Sequence, residues 1–337
     1  MQQMTTQDRV LMFSGQGSQR YGMGHELYRE NRVFRAYLDI GEEIAREYLG
    51  GRSLLGEMLN HDRRLEPFDN TLVSTPALYV FQYAAARAAV FENGNRRSAP
   101  VALLGYSLGE FVAAALAGVY EFETGLKFIL RYARLIHDLC PPAGMLAILD
   151  DVEIVRRHPE IFGATTIAGE NYPGCFVVTG QPQELKELAS FLDRIDIITQ
   201  ELPVARGYHS PWIDPAQAAI QNELTGMRFS SPGLPVYSCL LGRAVADGEY
   251  DANFFWSVVR RPIQFQQALA AALSEAAAGG QRTFYDLGPS GVMANFVKYS
   301  LSGDEGARFA SAFNPFQGEL QSWNAFLEIA RPWQVAE

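Results

Sequence analysis

Residues 101–110 read Val-Ala-Leu-Leu-Gly-Tyr-Ser-Leu-Gly-Glu, a short apolar run followed by a serine between two glycines. The run predicts a buried strand, and the pattern that begins at Phe111 predicts a helix directly after it. Gly105 and Gly109 permit a sharp bend between the two, because a side chain at either position would crowd it. This turn would expose the Ser107 hydroxyl and leave the amide of Leu108 at a helix start, where it can stabilise an oxyanion. The segment therefore favours a serine nucleophile that handles acyl groups.

Length, composition and net charge limit the domain organisation and the kinds of partner that the protein can have. The chain has 337 residues, of which 48% are hydrophobic, enough for one large α/β domain that carries a small one. The net charge of −10 argues against nucleic acid as the main partner, because phosphate binding needs a basic face. An acidic chain can still present a local basic patch to an acidic protein partner.

Cysteine usage and hydropathy bear on cofactors and location. The three cysteines, Cys140, Cys175 and Cys239, are widely spaced, which predicts a reducing compartment with no disulfide framework and no zinc site. The first residues lack the apolar core of a signal peptide. No charge-free apolar stretch reaches about 18 residues, so no transmembrane helix is expected. We expect a cytoplasmic protein that binds neither membrane nor metal.

The order of predicted elements indicates the fold class. Strands at 10–13 and 101–104 alternate with helices at 76–90 and 124–139, the first of these starting at Ser74-Thr75-Pro76. This alternation favours a mostly parallel sheet covered by helices. Short strands and two helices follow between residues 144 and 205. The sequence thus predicts an α/β protein with a large core from 1–143 and 206–337, and a small α+β insert at 144–205.

A nucleophilic serine needs a base, and five histidines are candidates. His25, His61, His137 and His158 lie among polar or charged neighbours or before a proline, which favours surface positions. His209 instead lies in a loop between a predicted strand and a predicted helix. Loops at sheet ends are where catalytic groups gather. His209 is therefore the preferred candidate for the base.

Three segments in order now carry a family resemblance. They are Phe13-Ser14-Gly15-Gln16-Gly17-Ser18-Gln19, Gly105-Tyr106-Ser107-Leu108-Gly109-Glu110 and Gly207-Tyr208-His209-Ser210-Pro211. Two others support them, Gly180 after the run 175–179 and the stretch 286–291. From about residue 10 to 315 the chain resembles the malonyl-CoA:acyl carrier protein transacylase family, which includes the acyltransferase domains of polyketide synthases.

The resemblance implies a hydrolase-like α/β core, with the insert forming a ferredoxin-like subdomain. It implies Ser107 as the nucleophile, His209 as the general base, and Gln16 with the Leu108 N–H around the oxyanion. It also implies a substrate carried on the phosphopantetheine of an acyl carrier protein, with no other cofactor. In this family a backbone carbonyl orients the histidine, and by position it would come from the segment near Val258. A helix cap is the role expected for Asp214.

The chain departs from the family's pattern in the acyl pocket. Members that carry malonyl have an arginine on a helix after the Ser107 turn, and this arginine pairs with the free carboxylate of the malonyl group. Counted without gaps, that position is Tyr132, flanked by Arg131 and Arg134, and a slip of one residue would place Arg131 there. A buried carboxylate without a partner is costly, so malonyl is expected to be a poor substrate.

Other substitutions surround the same pocket. Gly207 and Tyr208 precede the histidine where malonyl-type or methylmalonyl-type domains have other residues, and the lost bulk at Gly207 predicts a wider pocket. Ser14 replaces a usual proline and Tyr106 a usual histidine. These variants resemble the acyl hydrolase branch that accompanies trans-acyltransferase polyketide synthases. The expected substrate-binding residues are Tyr132, Tyr106, Tyr208, Gly207 and Arg131.

Four functions remain open at this point. The first is hydrolysis of acyl thioesters on acyl carrier proteins, which edits stalled carriers through an acyl-serine. The second is transfer of a non-malonyl acyl group to a second carrier through the same intermediate. The third is malonyl-CoA:acyl carrier protein transacylation. The fourth is a docking module without catalytic activity, against which the presence of Ser107, His209 and Gln16 argues.

Overall fold

Two β-sheets organise the molecule. The structure is a computed structural model that describes residues 8–91, 102–275, 282–301 and 307–329. Its strands are β1 (Asp8–Phe13), β2 (Ala102–Gly105), β3 (Gly144–Ile148), β4 (Thr166–Tyr172), β5 (Cys175–Gly180), β6 (Thr199–Glu201), β7 (Val236–Ser238), β8 (Arg243–Ala244), β9 (Ile263–Gln264), β10 (Arg282–Asp286) and β11 (Ala307–Ser311).

The larger sheet has six strands in the order β11-β10-β1-β2-β7-β8. Its pairs are parallel, except that the short β8 runs antiparallel to β7. Strand β2 lies at its centre with all four residues buried, as the apolar run before Ser107 requires. The carboxyl ends of β1 and β2 lie side by side, because Phe13 pairs with Gly105. The loops that follow these two strands therefore start at the same edge.

Helices cover the larger and the smaller sheet and connect their strands. They are α1 (His25–Glu30), α2 (Arg32–Tyr48), α3 (Leu54–Met58), α4 (Thr71–Ala86), α5 (Leu108–Leu116), α6 (Phe122–Leu139), α7 (Ile154–Arg157), α8 (Pro159–Phe162), α9 (Pro182–Asp193), α10 (Gln217–Thr225), α11 (Ala252–Arg260), α12 (Phe265–Ser274), α13 (Val292–Ser300) and α14 (Glu319–Ile329). Short 3₁₀ turns span His61–Arg63 and Pro211–Ala216, and a π-helical turn spans Arg87–Phe91.

The smaller sheet has the order β6-β3-β5-β4-β9. Its first four strands are antiparallel and are joined in the order strand, helices, two strands, helix, strand. This is the ferredoxin-like arrangement. The fifth strand, β9, comes from residues 263–264 and pairs in parallel with β4. The smaller sheet thus includes a strand from a part of the chain that the sequence assigned to the large core.

These sheets confirm the predicted α/β fold class with its smaller α+β sheet, whereas the domain boundaries at 143/144 and 205/206 stay predictions. The predicted start of the helix at Ser74 is wrong, because α4 begins one turn earlier, where Asn70 Oδ1 accepts a hydrogen bond from Leu72 N. Val101, the first residue of the strand predicted at 101–104, lies outside the described residues. Within the described ranges, no helix has the length and apolar character needed to cross a membrane.

Candidate active site

Ser107 lies on the sharp turn between β2 and α5. Its backbone has φ 54° and ψ −121°, a conformation that non-glycine residues rarely adopt. Both flanking glycines are required. A Cβ on Gly105 would overlap the backbone of Glu110, and one on Gly109 would overlap the carbonyl oxygen of Phe13. The turn is therefore tight against β1 and α5, as the motif predicted.

His209 meets Ser107 across 102 positions of sequence. Ser107 Oγ lies 2.8 Å from His209 Nε2, and the other ring nitrogen, Nδ1, lies 2.8 Å from the carbonyl oxygen of Arg261. A carbonyl only accepts hydrogen bonds, so Nδ1 carries the hydrogen and Nε2 is the free base that faces the serine. The structure brings together the two groups that the sequence nominated.

The loop around His209 is held by the chain at the end of α11. The His209 backbone has φ 58°, and its N–H donates to the carbonyl of Val259 at 2.9 Å. The orienting carbonyl expected near Val258 is that of Arg261, three positions further along. The expectation that Asp214 caps a helix is wrong. Its carboxylate pairs with Arg260, and Ser210 Oγ caps the 3₁₀ turn instead.

Burial lowers the pKa of the His209 imidazole. His209 is 2% exposed. Burial lowers its pKa to about 4, because the charged form loses its hydration, and the hydrogen bond to the Arg261 carbonyl only partly offsets this effect. The ring is therefore neutral at pH 7 and able to accept a proton from the Ser107 hydroxyl.

The side chain of Gln16 is already fully engaged. Its Nε2 donates one hydrogen to Thr75 Oγ1 at 2.7 Å and the other to Tyr208 Oη at 2.9 Å. An amide nitrogen has two hydrogens, so none remains for an oxyanion. The backbone N–H groups of Gln16 and Leu108 have no hydrogen-bond partner among the residues that the structure describes. These two amides are the available donors, and the Leu108 amide lies at the start of α5.

The loop that carries Gln16 is anchored from α4. Gln82, which is fully buried, accepts from Ser14 N at 2.6 Å and donates to Ser14 O at 3.0 Å. The Ser14 hydroxyl also bonds to Ser18 Oγ at 2.8 Å. A proline at position 14 would lack the N–H that Gln82 binds. The serine thus adds a hydrogen bond that the family's usual residue cannot make.

Two of the five predicted substrate-binding residues do not have the surroundings that the sequence led us to expect. Arg131 is on the surface, where its guanidinium pairs with Glu223 at 2.9 Å, since one step along α6 turns it away from the buried face. Gly207 does not widen a pocket. A Cβ there would lie 2.6 Å from Trp212 Cβ and 2.9 Å from Thr179 Cγ2, so neighbouring side chains already fill the space.

Of the other three, Tyr106 and Tyr208 directly precede the two dyad residues in the chain, and Tyr132 lies on α6. Tyr132 is fully buried among aromatic rings that include Phe111, and its hydroxyl has no hydrogen-bond partner among the described residues. Tyr208 is buried beside Gln16, and Tyr106 lines a cavity of about 280 Å³ together with Gln16. The far end of this cavity reaches the partly exposed Leu149 and Tyr299. The cavity therefore leads from the Gln16 loop to the surface.

Reasoning from the sequence missed Glu110, a buried acid on the helix that follows Ser107. Glu110 accepts from Ser238 Oγ at 2.6 Å and from Leu240 N at 2.8 Å, and it ties the start of α5 to the last residue of β7 and to the segment that follows. Burial raises its pKa to about 8. A charged residue inside the otherwise apolar helix after Ser107 was the available signal. Its partners, 128 and 130 positions away, were not visible.

Comparison with known proteins finds relatives that match nearly the whole chain. The chain is 39% identical over 316 residues to the polyketide biosynthesis acyltransferase homolog PksD of Bacillus subtilis, covering 94% of each chain. It is 37% identical to the homolog BaeD of Bacillus velezensis, covering 92% of this chain and 93% of the relative.

Solved structures share the fold. The acyltransferase domain from the second module of the salinomycin polyketide synthase superposes with a TM-score of 0.80 at 28% identity, covering 97% of this chain and 73% of that one. Malonyl CoA-acyl carrier protein transacylase from Burkholderia pseudomallei gives a TM-score of 0.75 at 29% identity, covering 87% and 97%. Residues 10–328 match the acyl transferase domain family, and the chain belongs to that family as an acyltransferase of the polyketide synthase type.

Proposed function

We propose that the chain hydrolyses acyl thioesters carried on the phosphopantetheine of polyketide synthase acyl carrier proteins. The observation that carries the proposal is the contact of 2.8 Å between Ser107 Oγ and His209 Nε2, with the ring oriented by the Arg261 carbonyl. A neutral base against a serine hydroxyl on a strained turn is the arrangement that covalent acyl transfer needs.

The first half-reaction acylates the serine. His209 Nε2 takes the hydroxyl proton while Ser107 Oγ attacks the thioester carbonyl carbon, and the oxyanion that forms is held by the backbone N–H groups of Gln16 and Leu108. Each such donor contributes on the order of 3 kcal/mol. The C–S bond then breaks, and the leaving pantetheine sulfur takes the proton from the imidazolium. The acyl group is left as an ester of Ser107.

The second half-reaction releases the acid. Water gives a proton to His209 Nε2 and attacks the ester carbonyl, the bond to Ser107 Oγ breaks, and the serine recovers the proton. Attack by the thiol of a second carrier protein would instead complete a transfer. Both routes use the same residues, so the proposal of hydrolysis depends on water reaching the ester before a thiol does.

The acyl group that we propose is not malonyl. At the position where malonyl carriers have an arginine stands Tyr132, whose fully buried side chain brings no charge. The neighbouring arginines, Arg131 and Arg134, lie on the surface near Glu223 and Asp138. A free carboxylate bound behind Ser107 would thus lose its hydration without gaining a cation, which is costly.

The experiment measures three products. The purified chain is incubated with acetyl-, longer acyl- and malonyl-loaded carrier proteins, each with and without a second empty carrier. Free acid, transferred acyl group and acylated Ser107 are quantified by mass spectrometry. Free acid that dominates in both conditions supports hydrolysis. Acyl transfer that exceeds free acid would make the chain a transacylase, and absence of both products and of acyl-serine would leave a docking module.

A pair of variants at one position tests the acyl preference. Tyr132→Arg supplies the missing guanidinium. It is expected to raise malonyl loading of Ser107 relative to acetyl loading at least tenfold, which corresponds to about 1.4 kcal/mol. Tyr132→Phe keeps the ring without a charge and serves as the control, with an unchanged ratio. A ratio that Tyr132→Arg leaves unchanged would show that another feature excludes malonyl.

A further inference from the structure

The residues that precede Ser107 and His209 are both hydrogen-bonded to the smaller sheet. Tyr106 Oη donates to Asn171 Oδ1 at 2.7 Å, and Thr179 Oγ1 donates to the carbonyl oxygen of Tyr208 at 2.9 Å. Asn171 lies on β4 and Thr179 on β5, which are antiparallel neighbours. The two halves of the dyad come from the larger core, yet each has a tether to the same pair of strands.

Both tethers are closely packed, and the Thr179 tether is fully buried whereas the Asn171 tether is partly buried. Asn171 is 3% exposed, and Thr179 is fully buried. The ring of Tyr106 packs against Phe296, with ring centroids 5.7 Å apart, and the methyl group of Thr179 occupies the space where a Cβ on Gly207 would lie. The Thr179 hydrogen bond is sheltered from water, and a bond in such a low-dielectric environment is electrostatically stronger than one in water. The Asn171 hydrogen bond lies beside the cavity that Tyr106 lines.

The tethers lie next to strained backbone. Ser107 and His209 have φ values of 54° and 58°, and each directly follows a tethered residue. Positive φ at a non-glycine residue persists only where the surrounding structure over-determines it. Part of that restraint comes from the larger core, through Tyr106 N donating to Phe13 O and His209 N donating to Val259 O. Two side chains of the smaller sheet, Asn171 and Thr179, add to that restraint.

We propose that Asn171 and Thr179 are positioning residues that hold Ser107 Oγ and His209 Nε2 at hydrogen-bond distance, so that the smaller sheet sets the geometry of the dyad. The proposal rests on the proposed function of the two dyad residues. Neither positioning residue enters a bond-making step. Each acts through the neighbour of a dyad residue, Asn171 through the Tyr106 phenol and Thr179 through the Tyr208 carbonyl.

The test uses nearly isosteric pairs of variants. Thr179→Val and Asn171→Leu remove the tethers at similar volume, whereas Thr179→Ser keeps the hydroxyl and Asn171→Asp keeps an acceptor oxygen. Hydrolysis of S-acetyl-N-acetylcysteamine by the full chain gives kcat and KM. Displacing reacting groups by about 1 Å can cost on the order of 100-fold in rate. We expect the first two variants to lower kcat tenfold or more with KM within twofold, and the other two to recover most of that loss.

A matched control lies in the same part of the chain. Thr165 Oγ1 donates to the Phe162 carbonyl at 2.9 Å, a bond of equal length that reaches neither dyad residue. Thr165→Val should leave kcat unchanged. Tyr106→Phe removes the Asn171 bond from the other side, so its effect should not add to that of Asn171→Leu in a double-mutant cycle.

Several results would overturn the proposal. One is an unchanged kcat in Thr179→Val and Asn171→Leu, and another is a rise in KM with no fall in kcat. A third is a fall in kcat in Thr179→Ser and Asn171→Asp as large as that in Thr179→Val and Asn171→Leu. If Asn171→Leu does not fold by circular dichroism, the Thr179 pair decides the question alone. Failure of the proposed function is separate, because it would appear as undiminished thioester cleavage by Ser107→Ala, whatever the tether variants do.

Discussion

The two sides of Ser107 differ in kind. On the side that we call the cleft side, Gln16, Tyr106 and Asn171 each have hydrogen-bond partners, and a cavity of about 280 Å³ lies beside them. On the core side, Phe111 and Tyr132 pack in a closed aromatic cluster, in which the Tyr132 hydroxyl has no partner among the described residues. Directional bonds therefore fix the geometry on one side, and close packing fixes the volume on the other.

The largest expected effect comes from removing the Ser107 hydroxyl, which lies between the two regions. Ser107→Ala removes the nucleophile and should lower thioester cleavage about a thousandfold or more, because binding and the oxyanion donors alone leave only residual catalysis. Release of free acid from acyl-carrier protein measures it. Ser190→Ala, an exposed serine on α9, is the control and should retain full rate. Wild-type turnover by Ser107→Ala would remove the basis of the proposed function.

A second variant tests how tightly the turn around Ser107 is packed against β1. Gly109→Ala places a methyl group against the Phe13 carbonyl oxygen and should destabilise the fold by on the order of 3 kcal/mol, because backbone must move. Gly174→Ala meets no atom within 4 Å but has φ 87°, so only backbone strain of about 1 kcal/mol is expected. Chemical denaturation of the two variants compares the effects, and equal losses would contradict the tight turn.

The pH dependence of activity sharpens the description of the cleft side. The base must be neutral, and burial lowers the pKa of His209 to about 4. Activity should therefore persist as the pH falls below 6.5 and should decline only near pH 4, where the free enzyme's imidazole takes a proton. A profile of kcat/KM between pH 3.5 and 8 measures this. A decline centred near pH 6.5 would indicate a solvated histidine.

The buried acid on α5 gives a pH effect on stability. Burial raises the pKa of Glu110 from 4.5 to about 8, so between these values the unfolded chain releases a proton that the folded chain keeps. The contribution of Glu110 to stability is thus greatest below pH 4.5 and declines as the pH rises to about 8. Glu110→Gln, which cannot titrate, should lack this decline. Denaturation midpoints of both proteins at pH 5 and pH 8 give the comparison.

The smallest effect is expected on the core side. Tyr132→Phe removes a fully buried hydroxyl that has no partner among the described residues, and a buried unsatisfied group costs about 1–3 kcal/mol. The variant should be equally stable or more stable by about 1 kcal/mol. Tyr79→Phe is the matched control, because its buried hydroxyl donates to the Phe122 carbonyl at 3.2 Å, and it should be destabilised. A loss of stability in Tyr132→Phe would reveal a partner for that hydroxyl.

The sequence by itself determined the local features of the site. The apolar run before Ser107 and the glycines on either side of it predict a strand, a sharp turn and a helix. The requirement for glycine at position 105 is local, since a Cβ there would overlap the backbone of Glu110, five positions away. The order of apolar runs dictated the α/β class. These features are local because they follow from steric limits on a few neighbouring residues, and they were readable without coordinates.

Only the tertiary structure decided which distant groups meet. The Arg261 carbonyl fixes the tautomer of His209, and Thr75 and Tyr208 use up the side-chain N–H groups of Gln16. The space beside Gly207 is filled by Trp212, which is only five positions away but folds back against it. The expected wide pocket at Gly207 failed for this reason. Partners separated by about 50 to 190 positions are selected by how sheets and helices pack, and no spacing rule in a single sequence encodes that packing.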